Sequence, residues 1–125
     1  MAEQRDFDLL AASLRADAVD VGAFVEALAT KLEGAFGSQV RVERKGMLGP
    51  KRVRRIALDL GEDRYELEHD DGRVACRRST VVRGIALKNE ELQLDAWIDD
   101  VSRGLVDAAR STERGRVALE RLLSE

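Results

Sequence analysis

Cysteine, proline and histidine are nearly absent from this 125-residue sequence, which contains one of each. A single cysteine excludes an intramolecular disulfide and therefore a disulfide-stabilised secreted scaffold. One cysteine and one histidine also cannot supply the ligands of a zinc site built within one chain. The scarcity of proline, together with 44% hydrophobic residues, favours a globular chain over a disordered one.

Catalytic motifs are missing as well: the sequence has no phosphate-binding loop, GxGxxG, GxSxG, HExxH or CxxC. No apolar run approaches the ~18 residues of a membrane span, and the acidic start MAEQRDFDLL lacks the apolar core of a secretory signal. Arginine outnumbers lysine 17 to 4, a usage typical of high-GC bacterial genomes. We therefore expect a cytoplasmic bacterial protein with no catalytic site, metal, cofactor or transmembrane segment.

The most informative stretch is residues 53–78, which reads as three antiparallel strands. Asp71-Gly72 predicts a type I′ hairpin turn, because Asp-Gly tolerates φ > 0 at both central positions. A second loop, predicted at Glu62-Asp63, pairs Leu60 with Tyr65 and Leu58 with Leu67. Both turns assign the same side chains to one face: Ile56, Leu58, Leu60, Tyr65, Leu67, Val74 and Cys76.

The segments before and after residues 53–78 contain apolar residues at helical spacing. Helices are predicted over residues 7–16, capped by Asp6 or Asp8, and over 21–36, ended by Gly37. A strand is predicted at 39–45. Residues 89–94 lead into a third helix capped by Asp95, and Ser111-Thr112 separates it from a last helix.

Residues 79–88 do not keep a period of two, and we interpret them as an extended segment kinked or bulged near Gly84. The predicted fold class is α+β: an antiparallel four- to five-stranded meander flanked by N-terminal and C-terminal helices packed on one face. Residues 1–125 form a single domain that is helical over 1–37, a sheet over 38–88 and helical over 89–125. In architecture alone this order is similar to small bacterial secretion chaperones, and no motif accompanies the similarity.

Charge is divided between the sheet and the helices, since residues 41–88 carry 13 basic and 8 acidic side chains while both flanking segments are acidic. Basic residues concentrate around an apolar pair in a glycine-flanked loop. The candidate binding patch consists of Lys45, Met47, Leu48, Lys51, Arg52, Arg54, Arg55, Arg77 and Arg78. Such a patch could bind an anionic membrane lipid or nucleic acid. Alternatively, the charges are only solvated and the apolar pair folds back onto the sheet.

Nucleic acid is the weaker of these two anionic partners. The predicted outer face mixes charge signs, with Glu43 opposite Arg55 and Glu66 opposite Arg77, and it carries no aromatic side chain. Sheets that bind single strands generally use aromatic rings for stacking.

Two further groups of residues could form a catalytic or a metal-binding site. His69 and Cys76 share one face of a hairpin as a thiol–imidazole pair, but their diagonal separation of roughly 7–8 Å is too long for a hydrogen bond. The acidic residues Glu90, Glu91, Asp95, Asp99 and Asp100 could be oxygen ligands, but they lack EF-hand spacing. Cys76 is better explained as a buried core residue, and the acidic residues are better explained as the start of a helix.

The leading hypothesis is a non-enzymatic protein-interaction or adaptor module that binds a protein partner or itself. Apolar positions that the acidic helices could offer to such a partner are Phe24, Trp97 and the Leu122-Leu123 pair. The alternative is an anionic-surface binder acting through the basic loop at 45–55, and an enzyme using Cys76 and His69 comes third.

Overall fold

A computed structural model describes residues 2–46, 49 and 51–123, apart from the side chains at positions 2 and 3. Met47 and Leu48 of the predicted patch lie outside the described residues. The helices are α1 (Ala2–Asp17), α2 (Val21–Phe36), α3 (Leu94–Ser111) and α4 (Glu113–Leu123). The strands are β1 (Val40–Lys45), β2 (Arg52–Leu60), β3 (Asp63–Asp70), β4 (Arg73–Val82) and β5 (Ile85–Leu92). The α+β class is confirmed.

The five strands form one antiparallel meander in the order β1-β2-β3-β4-β5. Its β3–β4 hairpin turns at Asp71-Gly72, with φ of 49° and 77°, which are the two positive angles of the predicted type I′ turn. Leu67 lies opposite Cys76, as expected. The turn residues therefore fix the register of this hairpin.

The register of the β2–β3 hairpin was predicted wrongly, by two residues. Leu58 pairs with Tyr65 and Ile56 pairs with Leu67, so the turn is Gly61-Glu62 rather than Glu62-Asp63. Gly61 has φ of 62°, and a hairpin turn with glycine at its first central position is of the II′ kind. Because side chains alternate with period two, a shift by two leaves every predicted face assignment unchanged.

Residues 79–88 are not a kinked single segment but a third hairpin. Arg83 and Gly84 have φ of 54° and 80° and form its turn, and a register shift between Thr80 and Val81 marks a β-bulge.

β5 continues to Leu92, so residues 89–92 are strand rather than the start of the helical region. The cap of α3 is Gln93, and Asp95 lies inside its first turn, which corrects the predicted cap.

α2 and α3 pack on one face of the sheet, which we call the covered face, and α1 and α4 pack against these two helices. α2 begins as predicted, with the Asp20 carboxylate accepting a hydrogen bond from the Ala23 amide at 3.1 Å. α1 begins at Ala2, so Asp6 and Asp8 lie within it rather than capping it. Arg15 ties α1 to α3 through Asp95 and Asp99, each at 2.5 Å.

The core between helices and sheet contains most of the apolar residues that we had expected the helices to offer to a partner. Phe24 and Trp97 are 1% exposed, and Leu122 is buried as well. Only Leu123 is half-buried. These residues complete the hydrophobic core, so the prediction that they are surplus is wrong.

Candidate functional site

The β4–β5 hairpin carries the most exposed apolar segment of the sheet. Its end, residues 81–87, has the sequence VVRGIAL, and we call it the hairpin tip. β3 begins at Asp63, which lies opposite Thr80. Beyond that point the Val81 amide donates to the Glu62 carbonyl at 2.7 Å, and β4 pairs only with β5. The hairpin tip therefore projects past its neighbouring strand.

Apolar side chains of the hairpin tip face solvent. Ile85 is 62% exposed and Leu87 is 65% exposed, while Val82, the cross-strand partner of Ile85, is half-buried. β5 is also an edge strand, which presents unpaired backbone donors and acceptors along one side. Exposed apolar residues beside an unpaired strand edge are typical of a protein-binding surface.

The basic residues of the predicted patch divide into three groups. Lys45, Lys51, Arg52 and Arg54 are exposed at the loop end of the β1–β2 hairpin and form no ion pair among the described residues. Lys45 lies directly opposite Arg52, and like charges in that position are destabilising. Arg54 is the extra residue at a bulge in this ladder. These four residues lie near one another around the β1–β2 loop.

Arg55, Arg77 and Arg78 are separated from that basic cluster. Arg55 is held on the open face of the sheet by Glu66, and its Nη1 lies 3.6 Å from Glu43. The hydrogen bond to Glu66 raises the pKa of Arg55. Arg77 is exposed on the same face, opposite Glu66 and Glu91. Arg78 points to the covered face and contacts Asp100 at 3.3 Å, so the patch is not continuous.

The two members of the thiol–imidazole pair lie on neighbouring strands and are not cross-strand partners of each other. Cys76 is buried, and burial raises the pKa of its thiol to about 12, which keeps it protonated at neutral pH. His69 lies opposite Val74, and Cys76 lies between Leu67 and Leu92. Cys76 is therefore placed as a core residue.

The acidic residues considered as oxygen ligands are mostly engaged by basic side chains. Asp95 and Asp99 bind Arg15, while Glu90 and Asp100 lie within 3.6 Å of Arg78. Among the residues that the structure describes, no group of three or more potential metal ligands is found. Ion pairs with Arg15 and Arg78 therefore engage four of these five acidic residues.

A groove that the sequence did not reveal lies where the β2–β3 turn meets α3 and α4. Its volume is about 570 Å³, and we call it the Tyr65 groove after the side chain in its wall. Its lining comes from the end of α2, both strands beside the turn, the second half of α3 and the start of α4. A groove assembled from such distant segments leaves no local pattern in the sequence.

Comparison of the chain with protein-family models, with curated proteins and with solved structures gave no match. No helix in the described part of the chain combines the length and apolar character that a membrane crossing requires. The fold and the surfaces described above are therefore the basis for proposing a function.

Proposed function

We propose that the protein is a non-enzymatic interaction module whose binding element is the hairpin tip together with the β5 edge, and that it binds a second copy of the same chain. The observation that carries this proposal is the exposure of Ile85 and Leu87 on a hairpin that projects beside an unpaired strand. Soluble proteins usually protect such edges, and apolar patches that remain exposed mark interaction sites.

Charge complementarity within β5 favours a second copy as the partner. When two identical strands pair about a two-fold axis, one residue faces itself and its neighbours face each other reciprocally. Centring on Asn89 places Lys88 opposite Glu90 of the second copy, twice. Centring on Lys88, Glu90 or Glu91 would instead oppose like charges. One register is therefore electrostatically preferred.

The same register also covers apolar surface. It brings the hairpin tip of one copy beside Leu92 and Leu94 of the other, and both of these side chains are half-buried in the single chain. Two sheets joined in this way would place Ile85 opposite Gln93 and Leu87 opposite Glu91, which covers part of their exposed surface, and would satisfy backbone groups of both edges.

Sedimentation velocity over micromolar to millimolar concentrations tests this proposal. We expect the wild type to dimerise and the double variant Ile85→Lys/Leu87→Lys to stay monomeric with an unchanged melting temperature. Val19→Lys is the matched control, because Val19 is 89% exposed outside the hairpin, and it should dimerise normally. A wild type that is monomeric throughout, or a double variant that still dimerises, would contradict the proposal.

A charge swap tests the register itself. Lys88→Glu and Glu90→Lys should each weaken the dimer by opposing like charges across the axis, while the double variant should recover it because the reciprocal pairs are restored. If the double variant is as weak as the sum of the single variants, the Asn89-centred register is wrong.

A second candidate function is binding of an anionic surface by the basic end of the β1–β2 hairpin. The observation that favours it is the juxtaposition of Lys45 and Arg52 without an acidic partner among the described residues. Natural strands seldom keep opposed like charges without a counter-ion, since such pairs are destabilising. An anionic ligand would remove this repulsion.

Binding to anionic lipid vesicles and to single-stranded nucleic acid, measured in parallel, tests the second candidate. We expect binding to weaken as the screening length falls from about 10 Å at 0.1 M salt to about 3 Å at 1 M. Lys51→Glu/Arg52→Glu should abolish it, whereas the control Arg73→Glu/Arg83→Glu should not. Equal losses in both variants would show a response to net charge alone.

A further inference from the structure

The bulge in the β1–β2 ladder changes which face of the sheet residues 52–54 occupy. Arg55 lies on the open face, and Arg54 is the extra residue of the bulge. Val53 is 2% exposed and belongs to the hydrophobic core, so it points to the covered face although it is only two residues from Arg55. In a regular strand, Val53 and Arg55 would share one face.

The bulge therefore gathers basic side chains on the open face. Successive residues of a strand point to opposite faces, so Arg52 and Arg54, on either side of Val53, both project from the open face. Lys45 is the direct cross-strand partner of Arg52 and shares its face. We call Lys45, Arg52 and Arg54 the cation triad. All three are exposed, and no acidic side chain pairs with them in the part of the chain that the structure describes.

Helix α2 anchors the bulge. The Val53 amide donates a hydrogen bond to Glu26 Oε2 at 2.7 Å, which ties the inward-pointing residue of the bulge to the helix. β-Bulges re-aim side chains and are over-represented next to functional sites. A bulge fixed in this way keeps three like charges together although they repel one another.

A compact anion with more than one charge is the ligand that best relieves this repulsion. A phosphomonoester carries about −1.5 to −2 charges at pH 7 and has three acceptor oxygens. Arginine can donate two parallel hydrogen bonds to a phosphate, and lysine adds a point charge. A phosphodiester or a carboxylate supplies only a single negative charge. Three cations that project from one face therefore favour a terminal phosphate group.

We propose that the cation triad binds a phosphomonoester, which is either the headgroup of a phospholipid such as phosphatidic acid or a soluble phosphate ester. Arg52 and Arg54 donate hydrogen bonds to the phosphate oxygens, and the Lys45 ammonium lies against the same group. Lys51 precedes β2 and adds long-range attraction only. This phosphate site rests on the second candidate function and does not depend on dimerisation through β5.

Binding to two kinds of phosphatidylcholine vesicle tests the phosphate site. One kind contains phosphatidic acid and the other contains phosphatidylglycerol at matched surface potential, because only the first presents a phosphomonoester. We expect the wild type to bind the first about fivefold more tightly. Arg54→Gln should abolish this preference, whereas Lys51→Gln, which removes the same charge from the loop, should weaken binding to both vesicles equally. Equal effects of the two variants on the preference would overturn the proposal.

Two substitutions at Glu26 separate the geometry of the bulge from its charge. Glu26→Ala removes the acceptor of the Val53 amide, so the preference for phosphatidic acid should fall although the protein becomes less acidic. Glu26→Gln removes the same charge but keeps an acceptor oxygen, so the preference should remain. Thermal melting of every variant checks that the fold is retained. An equal preference in the two Glu26 variants would show that the bulge does not position the triad.

Titration of ¹⁵N-labelled protein with glycerol phosphate separates the two sources of the phosphate group. Saturable shifts of the Arg52 and Arg54 amide signals support a soluble ester, and their absence together with a preference for phosphatidic acid supports the lipid headgroup.

Three outcomes would overturn the phosphate site. Equal binding to both vesicles without saturable shifts would leave the second candidate function standing without it. Absence of binding to vesicles, glycerol phosphate and single-stranded nucleic acid would overturn both. Tighter binding to single-stranded nucleic acid than to phosphatidic acid vesicles would assign the triad to a phosphodiester backbone instead.

Discussion

The two faces of the sheet bury side chains by different means. On the covered face, Ile56 and Leu67 are fully buried beneath the helices. On the open face, Ala57, Glu66 and Ser79 are also buried, although no helix of the described chain packs there. Glu66 is enclosed by its ion pair with Arg55, and the Ser79 hydroxyl donates to Asn89 Oδ1 at 2.6 Å.

The hydrophobic effect stabilises the covered face, whereas directional hydrogen bonds and ion pairs stabilise the open face. The covered face requires apolar residues at alternate positions, and its energy scales with the area that is buried. The open face depends on particular partners, and a buried polar atom that loses its partner is destabilising. Substitutions on the two faces should therefore destabilise the protein for different reasons.

The largest effect is expected from Leu67→Asp on the covered face. An unpaired carboxylate at a fully buried position should cost several kcal/mol, against a total stability of roughly 5–15 kcal/mol, so cooperative thermal unfolding followed by circular dichroism should disappear. Glu68→Leu, the reverse change on the adjacent open-face residue, should still unfold cooperatively. A wild-type melting curve for Leu67→Asp would show that the face assignment is wrong.

Alkaline pH should destabilise the covered face next. Burial raises the pKa of both Tyr65 and Cys76 to about 12, from ordinary values of 10.0 and 9.0. The folded state thus keeps protons that the unfolded state releases, so this stability is complete below about pH 9 and is lost as pH rises towards 12. At about 1.4 kcal/mol per pKa unit, the loss should reach a few kcal/mol.

Urea unfolding between pH 8 and pH 12 measures this loss. Tyr65→Phe/Cys76→Ala should show a shallower decline of unfolding free energy than the wild type, because neither ionisable group remains. Parallel declines in the two proteins would mean that other groups cause alkaline unfolding.

An intermediate effect is expected on the open face from Glu66→Ala. This change leaves the partly buried Arg55 without its principal acceptor and should cost about 1–3 kcal/mol, measured by urea unfolding. Glu68→Ala is the matched control, since Glu68 is 4.0 Å from Arg55 and more exposed, and it should stay within about 0.5 kcal/mol. Equal costs would mean that Glu66 contributes no more than a surface ion pair.

The smallest expected effect is on the reactivity of a thiol, compared between the covered face and the open face. Native Cys76 should react slowly with a thiol reagent and quickly in denaturant, because burial keeps it protonated and covered. In Cys76→Ala/Ala75→Cys the thiol moves to the exposed neighbouring position and should react quickly without denaturant. Labelling of wild-type Cys76 within seconds under native conditions would instead support a nucleophilic role.

Local turn chemistry explains how much of the sheet could be predicted from the sequence. Asp71-Gly72 fixed one register, because few dipeptides adopt φ > 0 twice. Gly61 satisfies the same rule, but the predicted loop is Glu62-Asp63, one residue further along the chain. The predicted faces are nevertheless correct, because every second side chain of a strand points to the same face and the register error is two residues. The Arg83-Gly84 turn was missed because apolar residues on both strands beside it hide the alternation.

The candidate sites were harder to predict, for a geometric reason. The basic residues at 45–54 are neighbours in sequence and remain neighbours in the structure. Arg77 and Arg78 are also adjacent in sequence, yet they point to opposite faces of β4. The Tyr65 groove combines residues up to 79 positions apart, from Phe36 to Gly115, and the exposure of Ile85 depends on where β3 begins.

The meander order has a consequence for how the chain folds. Every strand pairs with its neighbour in sequence, so the sheet is built from short loop closures. The helical layer instead joins segments 80 and 84 positions apart, where Arg15 meets Asp95 and Asp99. Because long closures cost more entropy, we expect the hairpins to form first and α1 to dock last. Pulse-labelled hydrogen exchange during refolding should protect β3 and β4 amides before those that depend on α1 docking.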